Sequence, residues 1–403
     1  MPSQGTIVQL SRRVQAIKPS PTLAISAKAG ALKAEGRDVV NLGVGEPDFD
    51  TPDFVKAAAI DAIRKGFTKY TAVGGTPSLK AAVAAKFKRE NALDYNARQI
   101  LVSCGGKQSF YNLAQAYLNP GDEVIIPAPY WVSYPDMVLL AEGVPVIAAC
   151  GIGQGYKLTP AQLEQSITLR TRMLVINSPS NPTGAVYSRE ELAVLGEVLR
   201  RHPDVLIASD DMYEHILMRD GAFGNIVNAC PDLYERAVVL NGVSKAYAMT
   251  GWRIGYCAGP EALIAAMENI QSQSTSNPTS ISQVAAEAAL TGDQGCMAPM
   301  LEAFRARHGY VLDALNALPG VKCVASGGAF YAFPDMSEAI ARLHRRGKLA
   351  EPTDLALAAY LLDAGVAAVP GSAFGAEGCL RLSFATSMEN LQKALSRIAA
   401  ALA

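Results

Sequence analysis

This sequence predicts an α/β fold: a mostly parallel sheet with helices on both faces, followed by a smaller α+β domain. Three observations carry that expectation. Short, continuously apolar, β-rich runs recur through the middle of the chain, helical segments lie between them, and past residue 290 the alternation stops. Strands covered on both faces read as unbroken apolar runs. Strand–helix alternation implies parallel strands joined by right-handed crossovers.

In order, the strand-like runs are QILVSC (99–104), DEVIIP (122–127), VPVIAA (144–149), RMLVIN (172–177), VLIASD (205–210), AVVLNG (237–242) and RIGYCAG (253–259). Helical patterns fill 106–118, 131–141, 188–200 and 260–272. After residue 290 come a long helix (298–317), strands near Ala329–Phe333 and Ala367–Val369, the CLRLSFA run, and a last helix from about Ser387. At 403 residues the chain exceeds the ~250–300 at which a single core stops growing. We therefore expect an N-terminal segment (1–50) joining the smaller domain, a large domain (51–290) and a small C-terminal domain (291–403).

Composition narrows the class. Half the residues are apolar and 18% are charged, enough for a large packed core. Lys plus Arg (36) nearly balances Asp plus Glu (37), so no basic field exists to hold nucleic acid. Charges such as Glu142 and Asp210 interrupt every apolar stretch before the ~20 residues a membrane helix needs. The first residues, MPSQGTIVQLSRRVQAIK, lack the apolar core of a secretory signal. Seven scattered cysteines with no C-x-x-C pair read as free thiols, and a cytoplasmic location is expected. The four histidines are equally dispersed, so no metal site is expected.

Ligands of open α/β sheets bind beyond the carboxyl ends of the strands, so the polar residues found there are informative. After 99–104 come Gly105, Gly106 and Lys107, opening a helix; after 172–177 comes SPSNPTG with Asn181; after 205–210 come Asp210, Asp211 and Tyr213. After 237–242 come Ser244 and Lys245, and Arg253 starts the next run. Singly, each has an ordinary reading as turn, cap or surface charge. Together they offer a phosphate cradle, an acid, a phenol, an amide, an amine and a guanidinium.

In this order and spacing the chain, from roughly residue 10 to its end, resembles the class I aminotransferases of pyridoxal 5'-phosphate (PLP) fold type I, nearest their bacterial aspartate aminotransferase branch. The carrying motifs are GEPDFDTP (45–52), KYT (69–71), GGKQ (105–108), PYWVSYP (129–135), NSPSNPTG (177–184), DDMYEH (210–215), SKAYAMTGWRIGY (244–256) and RLSFATS (381–387). The resemblance implies that 51–290 is the PLP-binding domain and that the N-terminal segment covers the active site. It also implies that Lys245 is the Schiff-base lysine and proton carrier, which requires a neutral amine near pH 7 and hence a depressed pKa. Asp210 matches the carboxylate that keeps the cofactor ring nitrogen protonated, with Asp211 as a structural neighbour. Tyr213 and Asn181 match partners of the phenolic oxygen, and Trp131 matches the aromatic stacked on the ring.

For the phosphate dianion, the resemblance assigns backbone N–H groups of Gly105, Gly106 and Lys107 at a helix N-terminus, the Ser244 hydroxyl and the Arg253 guanidinium. Tyr70 resembles the residue that reaches the phosphate from a partner subunit, implying a homodimer with shared active sites. Arg381 matches the grip on the substrate α-carboxylate, with Gly45 against the same group through its backbone. For a distal carboxylate the branch carrying GGKQ implies Lys107, helped by Ser20 and Thr22 of KPSPT. L-Aspartate with 2-oxoglutarate is therefore the expected substrate pair. Aromatic amino acids or prephenate are the alternative, and another PLP reaction such as β-elimination is a more distant one.

Overall fold

The computed structural model describes residues 8–219 and 221–403. Its strands, in chain order, are β1 (Val40–Asn41), β2 (Ile100–Ser103), β3 (Glu123–Ala128), β4 (Val144–Ala149), β5 (Thr171–Asn177), β6 (Leu206–Asp210), β7 (Ala237–Gly242) and β8 (Gly255–Ala258). Four shorter ones follow: β9 (Tyr331–Ala332), β10 (Val366–Ala367), β11 (Val369–Pro370) and β12 (Leu380–Ser383). Each strand-like run of the sequence lies within a residue or two of a strand. β2 to β8 form one seven-stranded sheet in the order β2-β8-β7-β6-β5-β3-β4. Neighbours are parallel except β8, which runs antiparallel to both β2 and β7.

Alternate side chains of these strands supply two different cores. Val102, Ile125, Leu174, Ile207 and Val239 enter one face, with helices Pro77–Asn91, Arg189–Arg201 and Ser280–Thr291. Leu101, Val124, Val175, Ala208 and Leu240 enter the other, with helices Gly106–Tyr117, Ser133–Leu140 and Glu261–Ser272. Burial on both faces explains the unbroken apolar runs. One run departs from that reading: β4 is an edge strand whose Val144 and Ile147 are each 43% exposed, whereas the opposite edge strand, β2, is buried along its length.

A third core gathers residues from helix Ala298–Asn316 onward, together with Val40 and Leu42 from near the N-terminus. β1 pairs in parallel with β10, Val40 opposite Val366, which stitches the early chain to the late one. A three-stranded sheet, β11-β12-β9, carries Arg381 on its central strand. The last helix, Met388–Leu402, starts where Ser387 accepts a hydrogen bond from the Asn390 N–H, as an N-cap does. All seven cysteines are unpaired. Among the described residues no helix is long and apolar enough to cross a membrane.

Candidate active site

The register of the sheet brings the strand ends together. Ser103 lies opposite Gly255, which lies opposite Gly242, while Asn177 pairs with Asp210. Loops leaving β2, β5, β6 and β7 therefore emerge along one edge. Because β8 is antiparallel, the residues that precede it, Arg253 included, arrive at that same edge. A cavity of about 490 Å³ opens there.

Lysine and acid face each other across the cavity. Lys245 is partly exposed and its Nζ donates to the Gly45 carbonyl at 2.6 Å. Loss of solvent, then the positive charge of Arg381, lowers its pKa to about 8. Asp210, at the end of β6, accepts from the Tyr134 hydroxyl and from the Met212 N–H at 3.2 Å. Burial nevertheless holds its carboxyl above the usual range, against the pull of Tyr134, Met212 and Lys245. The rival acid does not reach the cavity: Asp211 is buried and accepts from Ser209 Oγ (2.7 Å) and Asn225 Nδ2 (2.8 Å). Both of its partners lie outside the cavity, which agrees with the structural place that the family resemblance implied for it.

At one end of the cavity stands the N-terminus of helix Gly106–Tyr117. Gly105 caps it at φ 91°, and a Cβ there would collide with the Arg253 guanidinium, so glycine meets both demands. Arg253 donates to Thr250 O (2.9 Å) and Cys104 O (3.2 Å), which braces it over the helix end. Ser244 lines the same region. Lys107 lies 5.2 Å from the Trp131 ring centroid. Desolvation, then the charge of Arg253, lowers its pKa, while Asp136 pulls the other way.

Arg381 comes in from the small sheet and is 2% exposed. Its Nη1 donates to Asn181 Oδ1 at 2.9 Å and its Nη2 to Gly43 O at 2.6 Å. Its buried Nε has no partner, and no described carboxylate pairs with it. A desolvated guanidinium that lines an open cavity and has no carboxylate partner among the described residues has the chemistry to hold an anion there. Gly45 adjoins it, where a Cβ would come within 2.9 Å of the Tyr331 hydroxyl.

The cavity thus contains Gly45, Gly106, Lys107, Trp131, Asn181, Asp210, Tyr213, Ser244, Lys245, Arg253 and Arg381, with Gly105 immediately behind Arg253. Thr22 lines it too, and Ser20 is a step back, hydrogen-bonded to Thr22 at 2.9 Å. Tyr70 does not join them: it is 91% exposed, away from its own chain's cavity. Sequence reading passed over Tyr134, Asn177 and Tyr331, although all three line the cavity. Tyr134 was detectable, three residues after Trp131, whose carbonyl accepts from the Tyr134 N–H at 3.1 Å in the turn that leads into helix Ser133–Leu140. Asn177 is the last residue of β5, so its place beside Asp210 follows from register. Tyr331, whose hydroxyl is 2.9 Å from that of Tyr213, carries no local signal because it enters from another sheet.

A metal centre was not expected. Among the described residues Glu90, Glu214 and His215 bring ligand atoms within 4.8 Å of one another, but the Lys86 ammonium already lies against both carboxylates. The peptide bonds preceding Pro129, Pro179 and Pro182 are cis.

Known proteins resemble this chain in sequence and fold. Residues 37–398 match the family model for aminotransferase class I and II. An aspartate/prephenate aminotransferase of Nitrosomonas europaea is 66% identical, covering 98% of this chain and 100% of its own. The aspartate aminotransferase of Rhizobium meliloti superposes with a TM-score of 0.93 at 50% identity, covering 98% and 99% of the two chains. That of Thermus thermophilus, solved with maleate, gives 0.91 at 46% identity, covering 98% and 100%. With the family match running through every strand that builds the cavity, the chain belongs to the class I and II aminotransferases.

Proposed function

We propose that this aminotransferase moves the amino group of L-aspartate to 2-oxoglutarate, giving oxaloacetate and L-glutamate, with PLP held in the cavity. One observation carries the reading. A buried guanidinium with an unused donor (Arg381) shares the cavity with a lysine whose amine is brought to a pKa of about 8. An amino acid needs both a carboxylate grip and a neutral base.

The donor set fits the cofactor. Gly105, Gly106 and Lys107 at a helix N-terminus, with Ser244 and Arg253, suit a phosphate dianion. Asp210, destabilised by burial and short of a cationic partner, suits a protonated ring nitrogen. Tyr213 and Asn181 would hold the phenolic oxygen, and Trp131 would cover the ring. When bound, PLP supplies an aldehyde for amine exchange and a ring that accepts electron density from the substrate Cα.

The rest is done by side chains. Arg381 takes the α-carboxylate through the guanidinium N–H donors that its own chain leaves unused, beside the Gly45 backbone. Lys245 Nζ, once neutral, would remove the Cα proton and deliver it to C4' of the cofactor, and would carry a proton the opposite way when the oxo-acid acceptor is bound. Lys107 pairs with the distal carboxylate, and the N-terminal segment, through Thr22, closes over it and excludes water. The donor leaves as an oxo acid before the acceptor binds, which makes the kinetics ping-pong. Phe54, Ile60, Ile63, Phe67 and Tyr70 are exposed on and just after helix Asp53–Arg64, which supports a homodimer with Tyr70 reaching the phosphate end of the partner subunit's cavity.

Prephenate as amino acceptor is the second reading, favoured by the apolar Leu23 and Trp131 in a cavity of about 490 Å³ and by the Nitrosomonas relative's name. Visible spectra test the proposal. The protein purified with PLP should be yellow, bleach with aspartate and recover with 2-oxoglutarate. No colour, or no bleaching with aspartate, overturns it, and recovery only with prephenate selects the second reading.

A further inference from the structure

The loop that presents Asp210 and Tyr213 has a second anchor, hidden from the cavity. Glu214 directly follows Tyr213 yet is 5% exposed and does not line the cavity. Its Oε2 accepts from Asn91 Nδ2 at 2.7 Å, and its Oε1 accepts from Asn241 Nδ2 at 2.7 Å and from Lys86 Nζ. Lys86, on helix Pro77–Asn91, is fully buried. Its ammonium also donates to Asn91 Oδ1 at 2.7 Å and stands 3.5 Å from Glu90. Burial pushes the Glu214 carboxyl up, but the charges of Lys86 and His215 outweigh it and leave its pKa lowered.

Stability is a weak reason to keep such a pair, since well-packed apolar residues often do as well or better in its place. Its placement is more telling. Asn241 lies on β7, four residues before Lys245, and Glu214 lies one residue after Tyr213 and four after Asp210. One carboxylate therefore ties together the two loops that carry the lysine and its facing acid and phenol. None of Lys86, Asn91, Glu214 and Asn241 lines the cavity.

We propose that the buried Lys86–Glu214–Asn241 chain is a positioning device that sets the separation between the Lys245 amine and the Asp210–Tyr213 pair. The inference rests on the site proposed above. The groups assigned to gripping substrate stand on other elements, Arg381 on β12 and Lys107 on helix Gly106–Tyr117. Loosening the chain should thus act on turnover and spare substrate binding.

Holoenzymes of the wild type, Glu214→Gln and Asn241→Ala test this. The Gln variant can keep its bonds to Lys86 and Asn241 but turns a donor toward Asn91, and Lys86 retains Glu90. Asn241→Ala leaves the ion pair and cuts the tie to β7, together with the 2.7 Å bond from the Gly242 N–H to Asn241 Oδ1, so it carries the test if the Gln variant fails to fold. Three readouts are needed: kcat per bound cofactor and KM for aspartate, the affinity of the apoprotein for PLP from tryptophan quenching, and the pH midpoint of the bound cofactor's visible absorption. We expect kcat per bound cofactor to fall roughly 10- to 100-fold, as small displacements of reacting groups do. KM should stay within about twofold, with weakened PLP affinity and a displaced pH midpoint. Wild-type kcat per cofactor and an unmoved midpoint, even in a variant that melts earlier, would overturn the proposal. A wild type that binds no PLP would instead overturn the reading of the site.

Discussion

Arg381→Lys isolates the carboxylate grip. Two of the five guanidinium N–H donors are already committed, to Asn181 Oδ1 at 2.9 Å and Gly43 O at 2.6 Å, which fixes the plane of the fork while its other donors, Nε among them, have no partner among the described residues. An ammonium keeps the charge but cannot hold those two acceptors while presenting a further donor in the same plane. The substrate carboxylate then loses about one charge-assisted hydrogen bond, ~1.5–3 kcal/mol. At 1.4 kcal/mol per decade this lowers kcat/KM for aspartate roughly 10- to 150-fold. The substitution also leaves buried acceptors short of donors, so the variant should melt earlier and its rates must be normalised to bound cofactor. The assay is the rate at which aspartate bleaches the cofactor, over a concentration series, beside a PLP titration of the apoprotein. Because Arg381 lies away from the helix end and Arg253 and meets the cofactor's proposed partners through Asn181, PLP affinity should fall much less than kcat/KM. Unchanged kcat/KM, or a loss of PLP affinity as large as the loss toward aspartate, would refute the assignment.

Three further outcomes follow from the same geometry. Lys107→Ala should raise KM for aspartate roughly tenfold while an aromatic amino acid is spared, since only the former brings a second carboxylate; equal losses in steady-state kinetics sink the idea. The Lys245 amine, lowered to about 8 by burial and then by Arg381, is protonated below that pH and neutral above it. The rate at which apoprotein captures PLP should therefore climb with pH and level off above about 8, whereas a climb centred near an ordinary lysine, ~10.4, would contradict the burial. Gly45→Ala places a methyl about 2.9 Å from the Tyr331 hydroxyl, which must shift and strain its 2.9 Å bond to Tyr213. KM for aspartate should rise with PLP content unchanged, and a crystal structure with Tyr331 unmoved would argue against it.

Much of this protein could be read without coordinates because its signals are local. Continuous apolar runs announce strands wherever both faces are covered, and the rule fails at β4, an edge strand left partly exposed. Motif residues such as Asp210, Asn181, Ser244 and Lys245 sit at strand ends, so locating the strands locates them. Asp210 and Asp211 are adjacent, and facing opposite ways is what separates their roles: one opens on the cavity, the other on Ser209 and Asn225. That choice depends on where a strand stops, which apolar pattern resolves only to a residue or two.

By itself the sequence determined the chain's class, the order of its elements and the chemical inventory of the site, since each rests on composition or on neighbours within a few residues. Only the tertiary structure decided that β8 runs backwards, bringing Arg253 to the same edge as Lys245. It alone joined Arg381 and Tyr331 from a separate sheet to that edge, and buried Lys86 under Glu214. The physical reason is distance along the chain. Contacts between residues some 130 to 340 positions apart, such as Lys86 with Glu214 and Arg381 with Gly43, are set by how the sheets stack and cross, and no local pattern encodes them.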